Sequence, residues 1–322
     1  MKTGRTRRTP ENAIARPGRR GDGFGTVLLI DSHIHLYPPD ANRDPAAWAE
    51  ARGETHWAKL STRRRANGRL VQGFLEVDGL LRALDDAHIG HAVLLGWYWQ
   101  KPETCALQNR FYAACVQAHP DRLSACATIH PSAGRTAVLD EVRRAVGEGL
   151  IGLGELSPHS QGYAIDDPVF AAVLNLAAEL QLPVNLHVTD PDTPPYPGRV
   201  LTPLADFETL ARAFPATTFI LAHWGGLLPI RDPAVRELKN LYYDTAASPL
   251  LYGPGVWGQF IGEVGPERVL FGSDFPLNLY PKHELESALV RFVEEARNPG
   301  LDLAALEPVL ARNARRLFRL PG

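Results

Sequence analysis

Residues 26–39 read TVLLIDSHIHLYPP, in which the apolar run TVLLI stops abruptly at Asp31-Ser32-His33. A run without polar alternation reads as a strand buried on both faces, the mark of a parallel sheet. Its end carries His33 and His35. Strand residues two apart share a face, so both imidazoles point one way while Ile34 points the other. A buried strand ending in two metal-binding side chains suits an α/β barrel, whose chemistry gathers at the C-terminal ends of its strands.

Toward the C-terminus the pattern repeats. Buried runs occur at HAVLLGW (91–97), RLSACATI (122–129), LIGLG (150–154), PVNLH (183–187), TTFILAH (217–223), LYYDT (241–245) and RVLFG (268–272). Helical patterns separate them, near 76–87, 103–118, 136–148, 167–181, 203–213, 230–239 and 256–263, and two more close the chain near 283–297 and 302–318. Eight strands in this alternation predict a (β/α)8 TIM barrel. The competing fold, an open doubly wound sheet, lacks a Gly-rich phosphate fingerprint after an early strand. Residues 26–322 therefore read as one barrel domain. Within it, 37–72 has no sustained period and reads as an insertion after the first strand. Residues 1–25, rich in Arg, Gly and Pro, read as a basic, disordered tail.

At 322 residues, with 45% hydrophobic and 22% charged, the chain has the composition of an ordinary globular domain. Its formal charge of −2 offers no bulk attraction to nucleic acid or anionic membrane. Cys105, Cys115 and Cys126 are odd in number and form no CxxC pair, which suits reduced thiols in the cytoplasm. No apolar run is long enough to span a membrane. A small-molecule substrate is the expected partner, nucleic acid is disfavoured, and a homo-oligomer is compatible with the composition.

The predicted strand ends carry ligand-type side chains with unusual regularity: His33 and His35, then Glu155, His187, His223 and Asp274. With 11 histidines in the chain a single HxH could arise by chance. Six such residues at five separate strand ends could not easily do so, and they point to a divalent metal, zinc first and manganese second, one ion or two. An ion of this kind activates water for attack on an ester, lactone or amide carbonyl. Asp274 would act as catalytic base and His223 would orient substrate, stabilise an oxyanion or bind a second ion. Glu155 could bridge two ions, ligate one or hold a ligand histidine.

The sequence resembles the amidohydrolase superfamily, and most closely the amidohydrolase-related branch that includes the aminocarboxymuconate-semialdehyde decarboxylase relatives. The resemblance rests on IDSHIHLYPP (30–39), QGYAIDDPVF (161–170), LAAELQLPVNLH (176–187), FILAHWGG (219–226), LFGSDFPL (270–277) and NARRLF (313–318). It implies a metal-binding role for His33, His35, His187 and Asp274, and for His223 a catalytic role in one-metal members or a ligand role in two-metal members. Glu155 stands where many members carry a carboxylated lysine, an arrangement similar to the TatD-like deoxyribonucleases. The resemblance thus implies a metal-dependent hydrolase, with a non-oxidative decarboxylase of an aromatic or muconate-like acid as the alternative.

Around the barrel mouth, Trp97 and Trp99, with Tyr98 between them, suit an aromatic substrate wall. His130, His159 and Trp224 are further candidates for substrate contact. The Pro-rich segment 190–199 suits a loop that covers substrate. His56, His88, His91, His119 and His283 lie away from strand tops and receive no functional role.

Overall fold

In the computed structural model, which describes residues 28–65, 68–278, 288–297 and 300–320, the apolar runs become eight strands. They are β1 (Leu29–Ile34), β2 (Ile89–Leu94), β3 (Leu123–Ala127), β4 (Gly152–Leu156), β5 (Val184–Leu186), β6 (Phe219–Leu221), β7 (Leu241–Asp244) and β8 (Val269–Leu270). Each pairs in parallel with the next, in the order β1 to β8. The ring closes between β8 and β1, where the Ser32 N–H donates to the Phe271 carbonyl at 2.9 Å and the Asp274 N–H donates to the His33 carbonyl at 2.9 Å. This is a (β/α)8 barrel. Gly272 makes the closure possible, because a Cβ there would lie 2.6 Å from the Cβ of His33.

Side-chain alternation along the strands divides the core in two. One set, including Leu29, Leu123, Leu153, Val184, Phe219 and Leu241, packs against surrounding helices through Val142, Phe170, Val173, Phe207 and Phe260. Fully burying each such side chain contributes about 1.5–3 kcal/mol. The other set, Ile30, Val93, Cys126, Ile220 and Leu270, fills the barrel interior and meets Ala311, Ala314 and Phe318 from the C-terminal helical segment. That segment is pinned by Asn313, whose Nδ2 donates to the Pro266 and Val269 carbonyls, each at 2.7 Å. It closes the N-terminal end of the barrel and leaves the C-terminal end open.

Several boundaries differ from the sequence reading. β4 reaches Leu156, so Glu155 lies inside a strand rather than after one. The expected helix at 230–239 divides into Leu228–Arg231 and a tighter turn at Pro233–Glu237, because Pro233 disfavours helical geometry at Asp232. The insertion holds three helices, Pro39–Arg43, Pro45–Arg52 and Thr55–Ser61, each too short to show a period. Pro45 begins the second of them, and the Asp44 carboxylate caps it by accepting from the Ala47 N–H at 3.1 Å. Trp48, Trp57 and Trp99 meet in a triangle with ring centroids 5.4 Å apart, fastening the insertion to the segment after β2. The fully buried Glu54 reinforces this joint by accepting from the Gln100 and Lys101 N–H groups at 2.8 and 3.1 Å. The three cysteines are buried free thiols. No helix among the described residues is long and apolar enough to cross a membrane. The tail 1–25, the start of the helix expected at 283–297, and His283 lie outside the described residues.

Candidate metal centre

The barrel brings together all six ligand-type residues read from the strand ends. His33 and His35 turn their Nε2 atoms toward each other at 3.2 Å. Asp274 Oδ1 stands 3.4 Å from His35 Nε2 and 3.9 Å from His33 Nε2. Glu155 Oε2 lies 3.7 and 4.0 Å from the same two nitrogens. Ligands held about 2.1 Å from one ion stand roughly 3.0–3.4 Å apart when adjacent, so small adjustments would let these atoms share a cation.

The second oxygen of Glu155 faces elsewhere. Its Oε1 is 2.8 Å from His187 Nδ1 and 3.7 Å from His223 Nε2. Two groups among the described residues bring all their ligand atoms within 4.8 Å of one another, His33-His35-Glu155 and Glu155-His187-His223. Glu155 belongs to both.

His187 presents Nδ1 to Glu155, whereas each of the other three imidazoles is aimed by a bond on its far side. His35 Nδ1 donates to the Leu95 carbonyl and His223 Nδ1 to the Ala246 carbonyl, both at 3.0 Å. His33 Nδ1 donates to Asp244 Oδ2 at 2.9 Å. These bonds place the proton on Nδ1 and leave the Nε2 lone pair facing the centre. Asp244 was not singled out in the sequence. Its Oδ2 also accepts from Asn185 Nδ2 at 2.9 Å, and its Oδ1 accepts from the His223 and Ala246 N–H groups at 3.1 and 3.0 Å.

The charge balance suits a cation. Burial opposes protonation of His33, yet Asp244, Glu155 and Asp274 overcome it and push its pKa up to about 10. Burial likewise opposes ionisation of Glu155, but His187 and His33 hold it well below the usual carboxylate range. Among the described residues the ion-pair partners of Glu155 and Asp244 are all histidines, so an excess of buried negative charge awaits compensation. Two lone pairs 3.2 Å apart on His33 and His35 repel unless a proton or cation lies between them. The residues present therefore fit a divalent ion. Burial and the neighbouring His187 lower the pKa of His223, which favours the neutral, ligand-competent imidazole.

His223 and Asp274 share a backbone feature, φ values of +58° and +65° in the left-handed region that non-glycine residues avoid. After β6 the run His223-Trp224-Gly225-Gly226-Leu227 is left-handed throughout, with φ between 56° and 60°. This coil turns the His223 ring toward the centre and the Trp224 ring away from it.

A cavity of about 660 Å³ lies over the centre, with His187, His223 and Asp274 in its lining. Trp97 and Tyr98 stack at 4.5 Å on one wall, and each contacts an imidazole of the cluster, Trp97 against His35 at 5.2 Å and Tyr98 against His187 at 4.9 Å. The insertion and the loop at 190–199 supply other walls, including Leu60, Arg63 and Tyr196.

Four of the substrate-contact candidates lie elsewhere. Trp99 is fully buried in the tryptophan triangle, and its indole N–H bonds to Gln108 Oε1. Trp224 is a core residue: its indole N–H donates to Ser248 Oγ at 3.0 Å and its ring packs on Trp257 and Phe260. His130 uses both nitrogens on the backbone, with Nε2 donating to the Gln161 carbonyl and Nδ1 accepting from the Ser132 N–H. His159 pairs with Asp206 at 2.8 Å. None of the four lines the cavity, whereas Trp97 does.

Residues 30–320 match the profile of the amidohydrolase family Amidohydro_2. The chain belongs to that family. Among solved structures, this amidohydrolase is similar to the 5-carboxyvanillate decarboxylase LigW from Sphingomonas paucimobilis, at 17% identity and a TM-score of 0.69, covering 92% of this chain and 100% of that one. The 5-carboxyvanillate decarboxylase from Novosphingobium aromaticivorans, complexed with manganese and 4-hydroxy-3-methoxy-5-nitrobenzoic acid, matches at 14% identity and a TM-score of 0.68, covering 93% and 98% of the two chains. A probable 2-pyrone-4,6-dicarboxylic acid hydrolase from Acinetobacter baumannii matches at 17% identity and a TM-score of 0.59, covering 91% and 99%. At these identities the likeness is one of fold. A comparison with curated proteins gives no match.

Proposed function

We propose that this amidohydrolase is a metal-dependent, non-oxidative decarboxylase of an aromatic or muconate-like carboxylic acid. The observation that carries the reading is the placement of a carboxylate-rich histidine cluster beneath a cavity walled by stacked aromatic rings. Decarboxylases are also prominent among the solved structures of the same fold.

In this reading His33, His35, Glu155, His187 and Asp274 hold the ion, manganese or zinc, with His223 either as a further ligand or facing substrate. When bound, the ion would anchor the substrate carboxylate and a neighbouring oxygen. Trp97 and Tyr98 would stack on the planar substrate and fix its tilt. Asp274, partly open to the cavity, would pass a proton to the ring carbon that loses CO2. The electron pair of the broken carbon–carbon bond returns to the ring, and solvent reprotonates Asp274. His33 and His35, aimed by Asp244 and the Leu95 carbonyl, keep the cluster rigid. The substrate is a small molecule and the enzyme acts in the cytoplasm.

The test is CO2 release from a panel of hydroxybenzoic and muconate-like acids by metal-loaded protein. Failure of the whole panel would exclude the reading. The two-sided position of Glu155 favours a second one, hydrolysis of an ester, lactone or amide, and turnover of that panel instead of the acids would select it.

A further inference from the structure

The left-handed coil after β6 carries His223 and needs a hold from outside. His223, Trp224 and Leu227 are non-glycine residues at positive φ, a backbone state that persists only where neighbouring groups fix it. The inner end is fixed where the His223 N–H donates to Asp244 Oδ1. The outer end is fixed by Arg231, whose Nε–H donates to the Gly226 carbonyl at 2.9 Å. Gly226 also lies tight against the segment that follows β5, where an added Cβ would come within 3.1 Å of Val188 Cγ1.

Arg231 is itself gripped from the other side. Its Nη2 donates to Asp190 Oδ1 at 3.2 Å and to Asp192 Oδ2 at 2.8 Å. The two carboxylates are not equivalent. Asp192 is open to solvent, which weakens its pair with the guanidinium, whereas Asp190 is buried in the cavity wall. Asp190 Oδ2 accepts from the Tyr252 hydroxyl at 2.5 Å, and Oδ1 also accepts from the Asp192 N–H at 2.7 Å. One carboxylate thus ties together the segments that follow β5, β6 and β7. It stands three residues beyond His187, and the coil that it reaches through Arg231 begins at His223. These two histidines, with Glu155, form the group whose ligand atoms lie within 4.8 Å of one another. Arginine suits the task because its planar fork directs Nε and Nη2 at two separate acceptors at once.

We propose that Asp190 and Arg231 are positioning residues for the cluster: acting through the Gly226 carbonyl, they hold the coil so that His223 stays within reach of Glu155 and His187. Their effect on a bound ion passes through His223. This rests on the reading that the cluster holds an ion, and is indifferent to the reaction that the ion serves.

The probe is cobalt(II), titrated into the full-length, chelator-stripped protein and followed by its visible absorption. Arg231→Gln weakens cobalt binding about tenfold and alters the absorption band, at the low end of what loss of an outer partner costs a metal site. Arg231→Lys loses as much, because a single ammonium cannot serve both the Gly226 carbonyl and Asp190. Asp190→Asn loses part of it, since the amide keeps an acceptor and drops the charge. Asp192→Asn, at the exposed partner, binds cobalt as the original does. In a His223→Ala background, Arg231→Gln weakens binding by less than about a further twofold, because the two residues act as one unit. A second measurement needs no ion: in the stripped protein, Arg231→Gln speeds amide hydrogen exchange at residues 223–228 at least about tenfold and leaves residues 31–35 unchanged. Tyr252→Phe, which frees one oxygen of Asp190 and keeps the ring, serves in both measurements if Arg231→Gln does not fold. Unaltered cobalt affinity and spectrum in the folded variant, an equal loss with and without His223, or unaltered exchange in the coil would overturn the proposal. An unmodified protein that binds no cobalt would sink the metal reading, and the exchange comparison alone would then decide whether Arg231 holds the coil.

Discussion

Asp244 Oδ2 and His33 Nδ1 are 2.9 Å apart with both side chains fully buried. The bond connects the end of β7 to a cluster histidine on β1, and Oδ1 of the same carboxylate fixes His223 by accepting from its backbone N–H. Asp244→Asn keeps the shape but loses the charge that raises the basicity of His33. Metal affinity should fall about 10–100-fold, measured by competition with a chromogenic chelator. Unchanged affinity would show that the carbonyl oxygen of Asn suffices.

Glu155→Gln should act on both histidine groups at once, because its two oxygens face different ones. Bound metal per chain, measured by elemental analysis after gel filtration, should fall at least about tenfold in occupancy at limiting ion. A variant that keeps full metal content would place Glu155 outside the coordination sphere.

Removing the ion with a chelator should abolish turnover and lower the melting temperature, and manganese or zinc should restore both. The stability change follows from binding to the folded state alone, which the unfolded chain with its dispersed ligands cannot match. A melting temperature indifferent to chelation would argue against a resident ion.

Trp97 and Trp99 should separate cleanly. Trp99→Ala empties a fully buried site and should cost about 3–5 kcal/mol of stability in urea titrations, with KM within about twofold of the original. Trp97→Ala should raise KM instead, since Trp97 lines the cavity. The opposite pattern would restore Trp99 as a substrate residue.

His91 provides a pH test far from the centre. It is buried with Nε2 2.9 Å from Ser124 Oγ, and burial lowers its pKa from 6.5. The folded protein therefore resists a proton that the unfolded chain accepts. Its contribution is intact above pH 6.5 and is lost as pH falls toward the folded-state value. Between about pH 7.5 and about pH 5.5 the original protein should lose more stability than His91→Asn, compared by urea titration at each pH. Equal losses would assign the effect to other groups.

The barrel was legible because its strands are buried on both faces and read as unbroken apolar runs, and the cluster of candidate ligands was legible because those side chains gather where the runs stop. Asp244 was not, although it also ends a strand. Its partners are His33, 211 residues away, and His223, and nothing local in LYYDT distinguishes a carboxylate that aims an imidazole from one that faces solvent. Trp97 and Trp99 were read alike, as parts of one aromatic wall at the barrel mouth. β2 ends at Leu94, however, and the turn beyond it, in which the Trp99 N–H donates to the Trp97 carbonyl at 2.9 Å, sends the rings to different places. Trp224 was misplaced for a similar reason, since the left-handed coil after β6 is not visible in the residue types except through its two glycines.

The closure of β8 on β1 joins Ser32 to Phe271 across 239 positions of chain. During synthesis His33 and His35 emerge long before Asp274, so an incomplete chain cannot assemble the cluster. The inward-facing Ile30 and Val93 also remain uncovered until Ala311, Ala314 and Phe318 arrive. Contacts of such long sequence separation form late and slowly. Assembly of the cluster is thus an event of the finished barrel, and a nascent chain that stalls before its last strand carries the histidines without the centre.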